Sequence, residues 1–404
     1  MINLRRHTNI ALGYFLLVAL LGLFLRLFFV VQIPANFRYV VHGHSHIALL
    51  GWVYIALTTL IYKMYLSEGK NAAVYRRIFW FTQLTLLGML FTFPFTGYAM
   101  LSITFSTLFL FASYLMAWFV LKKTPQEHRT RNSFKCIKAS LWYLVISSIG
   151  PWAVGGVMAT LGKTSIWYKM SIYFYLHFQY NAWFIFGLCG ILLYFLEQRN
   201  LTPQKRHFGA FFNLLNAAVI LSFFLSVLWV EPHWIFYVLA GLGAVLQLFA
   251  FGKFYLLLKP LWKEERLPFT PFQQFLLKIV VILLCGKILL QLLSGIPFFA
   301  SLAFTFPDLV IGYLHWTFLG VVSISLFVFL EVAGLYRISK PVFWVYFGAF
   351  CLTEALIFFK GTAAWLELPL FLDYFKLLAA ASSFFGISIF IFLVKNLLTK
   401  KKES

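Results

Sequence analysis

Long apolar runs joined by short basic loops are the feature of this sequence that most constrains its fold. A helix needs about 20 apolar residues to cross the hydrocarbon core of a bilayer. Twelve runs approach that length, at 11–33, 39–62, 78–97, 101–121, 138–160, 171–196, 208–230, 233–257, 272–295, 308–331, 341–359 and 372–395. Because lipid offers the backbone no hydrogen-bond partner, each run is predicted to be a helix.

The composition agrees with a chain whose solvent is lipid. Of its 404 residues, 62% are hydrophobic and 11% are charged, whereas a soluble domain has roughly 25% charged residues. The loops between the runs are too short for a soluble domain, so residues 1–404 are predicted to form a single integral membrane domain. The predicted fold class is an all-α polytopic membrane protein with about twelve transmembrane helices.

The net charge of +21 predicts an orientation rather than a nucleic-acid partner, because the basic residues fall in short loops and form no stripe. With the N-terminus inside, the inner segments hold about 26 of the 33 basic residues and the outer loops about four, as the positive-inside bias requires. The sequence thus predicts a multi-pass protein of the cytoplasmic (inner) membrane, with both termini in the cytoplasm.

Five histidines fall inside predicted spans. Three lie on the second span and one each on the sixth and tenth, namely His42, His44, His46, His177 and His315. These spans all enter from the outer side, and the histidines are predicted to share one layer about 5–12 Å below that surface. The remaining histidines are expected to be solvated surface residues: His7, His128, His207 and His233.

An imidazole inside a bilayer is costly and usually faces a bundle interior or a cavity. Interhelical hydrogen bonding would explain a single such residue, whereas a layer of five favours metal or haem ligation. At 100° per residue, His42 and His46 share one helix face and His44 points to the opposite side. Gly43 between them would leave room for a flat porphyrin or would allow close helix packing.

This pattern resembles subunit I of the haem–copper oxidase superfamily, in which twelve helices form three pseudo-symmetric arcs of four. The segment HSHIALLGW is similar to the H-x-H haem-ligand motif of nitric oxide reductases and cbb-type oxidases, although that motif lies on their tenth helix. The NnrS membrane family has a comparable H-x-H after its first helix.

The resemblance implies a low-spin haem held by His315 together with His42, His44 or His46. His177 matches a copper ligand of that family, but the seventh span has no histidine, so the complete copper site is not expected. The alternating histidines further suggest a second site between His44 and His177.

Other residues have two interpretations each. Arg38, one turn before His42, would pair with a haem propionate or anchor the helix at the membrane surface. Arg26, in the outer half of the first span, needs a partner and would join a propionate cluster or snorkel outward. Three tryptophans would pack on a porphyrin or in the core: Trp52, Trp183 and Trp316.

The polar residues of the sixth span follow His177 and would orient its ring or bond to a neighbouring helix: Gln179, Tyr180 and Asn181. Lys287, deep in the ninth span, is expected to form an interhelical ion pair or to snorkel to the surface rather than to conduct protons.

The sequence therefore predicts a membrane haem protein with one or two b-type haems, and copper also stays open. Its role would be electron transfer or the binding or reduction of a small gas such as NO or O2, with an electron-donor protein or subunit as partner. Whether it is an oxidoreductase is left open. The alternative is a non-haem copper or zinc membrane protein for transport or metal handling, against which the single layer of histidines argues. A di-iron lipid desaturase is disfavoured because HGHSH does not have the spacing of its histidine boxes.

Overall fold

The computed structural model describes residues 2–68, 70–201, 205–263 and 267–398, with only the backbone described at positions 205 and 263. Twelve of its helices are long and apolar enough to cross a membrane. In chain order, α1 to α12 are Leu4–Leu27, Phe37–Tyr65, Ala72–Thr96, Met100–Lys123, Asn132–Thr160, Ile166–Glu197, Arg206–Val230, Trp234–Trp262, Pro271–Ser294, Pro307–Val332, Lys340–Trp365 and Tyr374–Leu398. Shorter helices at Gln126–Arg129 and Pro297–Thr305 precede α5 and α10.

The predicted all-α fold with twelve spans is confirmed. Many large apolar side chains lie on the protein surface, including Phe91, Phe95 and Met100, as expected where the surrounding medium is lipid. Part of the predicted charge bias rests on side chains outside the described residues, namely those of Lys205, Lys263, Arg266, Lys400, Lys401 and Lys402.

The first helix begins earlier than predicted, at Leu4 instead of residue 11. The side chain of Asn3 caps it by accepting a hydrogen bond from the backbone N–H of Arg6, which satisfies one of the open donors of the first turn. His7 is therefore helical and buried, with its ring stacked 3.6 Å from that of Phe79. Its Nδ1 lies 3.2 Å from the hydroxyl of Tyr75. The expectation of a solvated His7 was wrong.

A tight turn around Gly97 separates α3 from α4. Gly97 ends α3 with a φ of 60°, where a Cβ would lie 2.5 Å from the ring of Tyr39. Only glycine accommodates both the positive φ and the close approach of the Tyr39 ring. Ser102 then accepts a hydrogen bond from the N–H of Ala99 and starts α4.

The chain divides into two compact units, each described here by itself. Unit 1 comprises Met1–Thr124 and Leu326–Ser404, and unit 2 comprises Pro125–Ser325. Unit 1 contains α1 to α4, the end of α10, α11 and α12, whereas unit 2 contains α5 to α9 and most of α10. The prediction of one membrane domain over the whole chain stays a prediction.

In unit 1, α1 packs along α12 and α2, and α3 packs on α2 and α4. The core of this unit is aromatic. Phe15 of α1 stacks on Trp52 of α2 at 4.7 Å and meets the edge of Tyr346 of α11. Phe327 joins the same group. Offset and edge-to-face ring pairs of this kind fix the contact between helices.

In unit 2, α5 packs on α6, and α7 packs along α8. Tyr143 of α5 stacks on Phe178 and Phe186 of α6 at 5.8 and 5.6 Å. Its hydroxyl donates to the amide oxygen of Asn216 in α7, at 2.9 Å. The phenol thus supplies apolar area at one end and a satisfied polar group at the other.

Candidate functional site

Three π-helical segments interrupt α2, α6 and α10, and no others occur among the described residues. They are Ala48–Val53, Phe178–Trp183 and Trp316–Val322. Single-turn π segments are rare and are frequent at functional sites. The three spans that carry the intramembrane histidines, the second, sixth and tenth, are thus also the ones with a π segment among the described residues.

Each π segment directly follows the histidines of its helix. His177 and His315 are the residues immediately before the second and third segments, and His46 lies two residues before the first. The widened turn changes the side-chain direction just beyond the imidazoles. Three helices therefore carry a π-helical segment at nearly the same position relative to their histidines.

The same three helices are the most deeply enclosed in the protein. The most apolar stretch of α2 is 89% buried, that of α6 is 78% and that of α10 is 67%, against 28–50% for the other nine spans. Intramembrane imidazoles are expected to point into protein rather than lipid. The helices that carry the histidines are therefore interior helices.

His44 of α2 is directed towards α1. Its Nδ1 lies 3.1 Å from the backbone carbonyl of Val18. Because a carbonyl only accepts, Nδ1 carries the proton and Nε2 carries the lone pair. A Cβ at Gly22 would lie 3.1 Å from Cε1 of His44, so this glycine makes room for the ring.

His42 and His46 lie on the other side of α2, as predicted from their spacing. The ring of His46 stacks on Phe93 at 4.2 Å, and that of His42 meets Tyr98 edge-on at 4.6 Å. Nδ1 of His46 donates to the carbonyl of His42 at 2.8 Å. The lone pair of His46 is therefore on Nε2 as well.

Gly43 serves helix packing rather than porphyrin space. A Cβ at this position would lie 2.7 Å from Cγ of Pro94 in α3, so any larger residue would push the two helices apart. Of the two interpretations of Gly43, close packing is the one that the structure favours.

His177 is engaged at both ring nitrogens and is 1% exposed. Its Nε2 donates to the carbonyl of Val219 in α7 at 2.8 Å, and its Nδ1 accepts from the side-chain amide of Asn181 at 3.1 Å. In this arrangement neither nitrogen is open to a metal ion. His177 is thus an internal hydrogen-bonding residue here, in contrast to the predicted ligand role.

Asn181 orients His177, as one interpretation of the sequence proposed. Gln179 instead donates to the hydroxyl of Ser147 in α5 at 2.8 Å, which is helix–helix bonding. Tyr180 lies edge-on to His177 with the ring centres 6.4 Å apart.

Lys287 extends this polar chain and is fully buried. Its Nζ donates to the amide oxygens of Asn181 at 2.6 Å and Gln291 at 2.7 Å, and it lies 5.7 Å from the ring centre of Tyr313. No carboxylate of the described residues lies within ion-pair distance. The expected ion pair or snorkelling of Lys287 was wrong, because two amides and an aromatic face solvate the ammonium instead.

The remaining predicted residues lie as follows. Arg38 is exposed in the first turn of α2, so its pairing with a propionate stays a prediction. His315 is half-buried at the start of the third π segment. Arg26 donates to the carbonyl of Gly22 at 3.1 Å and interacts electrostatically with Glu354 of α11.

Of the three tryptophans, Trp52 and Trp183 belong to the core and Trp316 is half-buried. Trp52 stacks on Phe15, Trp183 is fully buried, and Trp316 donates to the carbonyl of Leu283 in α9 at 2.7 Å. Their packing is thus provided by neighbouring helices.

Within the described part of the chain, no three or more side chains of His, Cys, Asp or Glu gather in a way that could hold a metal ion. Zinc sites take three or four protein ligands. Haem iron takes four nitrogens from its porphyrin and only one or two axial ligands from protein. A haem thus requires one or two protein imidazoles, whereas a copper or zinc cluster requires several donors close together.

The fold defines the class: a polytopic membrane protein with twelve long apolar helices among its described residues, of which α2, α6 and α10 each carry a π-helical segment. No model of a known protein family matches the chain, and comparison with curated proteins gives no match.

Proposed function

We propose that the protein is a membrane haem protein resembling haem–copper oxidase subunit I, which serves electron transfer or the binding or reduction of a small gas. It would hold one or two b-type haems, with His42, His44, His46 and His315 as the candidate ligands. The observation that carries the proposal is the repeated pairing of an intramembrane histidine with a π-helical segment on α2, α6 and α10.

His44 has the geometry that an axial ligand needs. Imidazoles that bind metals usually donate their other N–H to a carbonyl or carboxylate, which fixes the tautomer and makes the ligating nitrogen more basic. The contact of His44 with Val18 is of this type, and so is that of His46 with His42. Both leave Nε2 as the nitrogen that would bind iron.

A bound haem would supply one-electron redox chemistry and a coordination position for a gas. The chain itself would fix the imidazoles and keep water away. Gly22 leaves space for the His44 ring, while Phe93 and Tyr98 cover His42 and His46. An exposed Arg38 one turn earlier would pair with a propionate at the membrane surface.

The proposed location is the cytoplasmic membrane, with both termini in the cytoplasm and the histidine layer near the outer face. The support is the excess of Lys and Arg in alternate loops. An electron donor would then approach from the outer side, where the haem lies closest to the surface.

The test is a reduced-minus-oxidised visible spectrum of the protein purified in detergent from cells supplied with haem. We expect the α and Soret bands of b-type haem. His44→Ala, His46→Ala and His315→Ala, made singly, identify the ligands by loss or shift of these bands. His233→Ala is the matched control, because His233 is exposed and should leave the spectrum unchanged.

Added imidazole should restore part of the spectrum in His44→Gly if His44 ligates the iron, since the small ligand replaces the lost ring. A flat spectrum from well-folded protein would refute the haem proposal. Bound copper or zinc in such a preparation would support the non-haem alternative instead.

A further inference from the structure

A second site, unrelated to the histidine layer, lies in unit 1 where α10, α11 and α12 meet at one end of the helices. A pocket of about 480 Å³ opens there, lined by Arg337, Ile338, Ser339, Lys395 and Leu398. This volume falls within the range of small-molecule sites, about 300–1,000 Å³. The lining combines basic groups with apolar side chains.

The basic groups of the pocket are held in place by named contacts. Nζ of Lys395 donates to the hydroxyl of Ser339 at 2.8 Å. The short loop before α11 is closed by Glu331, whose carboxylate accepts the backbone N–H of Ile338 at 2.7 Å. Arg337, in the same loop, has an exposed side chain.

A third cation stands beside the pocket. The amide of Asn396, next to Lys395 in the chain, accepts from Nη2 of Arg5 at 3.2 Å and donates to the carbonyl of Leu335 at 3.3 Å. Nε of Arg5 is buried and has no hydrogen-bond partner among the described residues. The contacts of Asn396 therefore link the start of α1, which carries Arg5, to the end of α12 and to the loop between α10 and α11 that carries Arg337.

The position of the pocket indicates which class of ligand would bind there. It lies at the end of α10 and the beginning of α11, on the side where basic loops concentrate. Basic pockets between membrane helices on the cytoplasmic side bind anionic lipid head groups. Guanidinium and ammonium groups both pair well with phosphate, and the apolar Ile338 and Leu398 would contact the glycerol and upper acyl chain.

We propose that Arg337 and Lys395, with Ser339, form a binding site for the phosphate-bearing head group of an anionic phospholipid. Arg5 adds to the positive potential of the site. This proposal does not depend on haem binding.

Native mass spectrometry of the purified full-length protein tests it, with phosphatidylglycerol as the probe and phosphatidylcholine as the uncharged comparison. We expect preferential binding of phosphatidylglycerol. Arg337→Ala combined with Lys395→Ala should weaken that binding about thirtyfold, given about 1 kcal/mol for each basic residue near an anionic lipid. Arg337→Lys should retain most of it.

The matched control is Lys122→Ala combined with Lys123→Ala, two exposed lysines at the end of α4 on the same predicted side. It removes equal charge and should leave phosphatidylglycerol binding unchanged. Equal losses in both double variants would show a general charge effect and overturn the site. Equal binding of the two lipids would overturn it as well.

Inorganic phosphate distinguishes the two sources of the same ligand chemistry. If millimolar phosphate displaces phosphatidylglycerol and binds with the same dependence on Arg337 and Lys395, the site takes free phosphate and the lipid proposal is wrong. If phosphate does not compete, the lipid assignment is supported.

Discussion

Asn181 is the amide on which the buried polar chain of unit 2 depends. It donates to His177, accepts from Lys287 at 2.6 Å and lies 3.4 Å from the amide nitrogen of Gln291. Asn181→Leu would keep the approximate volume but leave an imidazole acceptor unsatisfied. It would also leave a buried ammonium with a single amide partner.

The expected cost follows from these contacts. Hydrogen bonds between membrane helices average about 0.6 kcal/mol and reach about 1.7, and an unsatisfied buried group costs about 1–3 kcal/mol, more if charged. We therefore expect Asn181→Leu to lower the free energy of unfolding by about 2–4 kcal/mol. Lys287→Met removes the buried charge itself and should cost at most about 1 kcal/mol.

The double variant Asn181→Leu/Lys287→Met is the decisive measurement. Once the ammonium is gone, loss of its amide partner matters less, so the double variant should be more stable than Asn181→Leu alone. Asn216→Leu is the matched control, since Asn216 bonds to Tyr143 and Phe212. Its effect should add to that of Lys287→Met.

Unfolding can be followed by the thiols of Cys136 and Cys189, which are buried and should react with a thiol probe only when the helices open. The exposed thiols of Cys285 and Cys351 would first be replaced by Ser. Additive effects of Asn181→Leu and Lys287→Met would refute the argument, because they would show that the amide does not stabilise the ammonium.

Three further outcomes are expected. In thermal unfolding, Gly43→Ala should destabilise the protein by about 1–3 kcal/mol through the clash with Pro94. Gly156→Ala, with open space around it, should be neutral or stabilising in the same measurement. His177→Ala should lower the unfolding temperature but leave the haem content unchanged, and loss of the haem bands would contradict the bonding described for it. In a variant without native cysteines, Glu367→Cys should react with an impermeant probe added outside intact cells and Lys123→Cys should not, and the reverse pattern would refute the proposed orientation.

Hydropathy was sufficient to predict the spans because burial in lipid is a property of about 20 consecutive residues. Helix ends depend on single caps, and the sequence alone misplaced the start of α1 because the Asn3 cap begins the helix about two turns before the apolar run. His7 was misjudged for the same reason. Opposite directions for His42 and His44 followed correctly from helix geometry.

Long-range partners could not be predicted in this way. The two nitrogens of His177 bind a carbonyl of α7 and an amide one turn away, and only the packed helices bring the first of these into reach. The amide environment of Lys287 joins residues 106 positions apart. Each π segment contains one tryptophan, whereas only Ala48–Val53 and Trp316–Val322 contain glycine. With 13 tryptophans in the chain, this residue alone does not predict a π turn.

The π-helical segments have a consequence for how this chain should be compared with others. Each such turn accommodates one residue more than the α-helical turn it replaces. The side chains after the π segment in α2, α6 and α10 are therefore rotated by about 100° from the directions that an uninterrupted α-helix would give them. An alignment that forbids gaps inside helices would match one half of each helix and misassign the other. Allowing a one-residue insertion at Ala48–Val53, Phe178–Trp183 and Trp316–Val322 would align the residues on both sides of each π segment. Searches for distant relatives should therefore permit such insertions inside these helices.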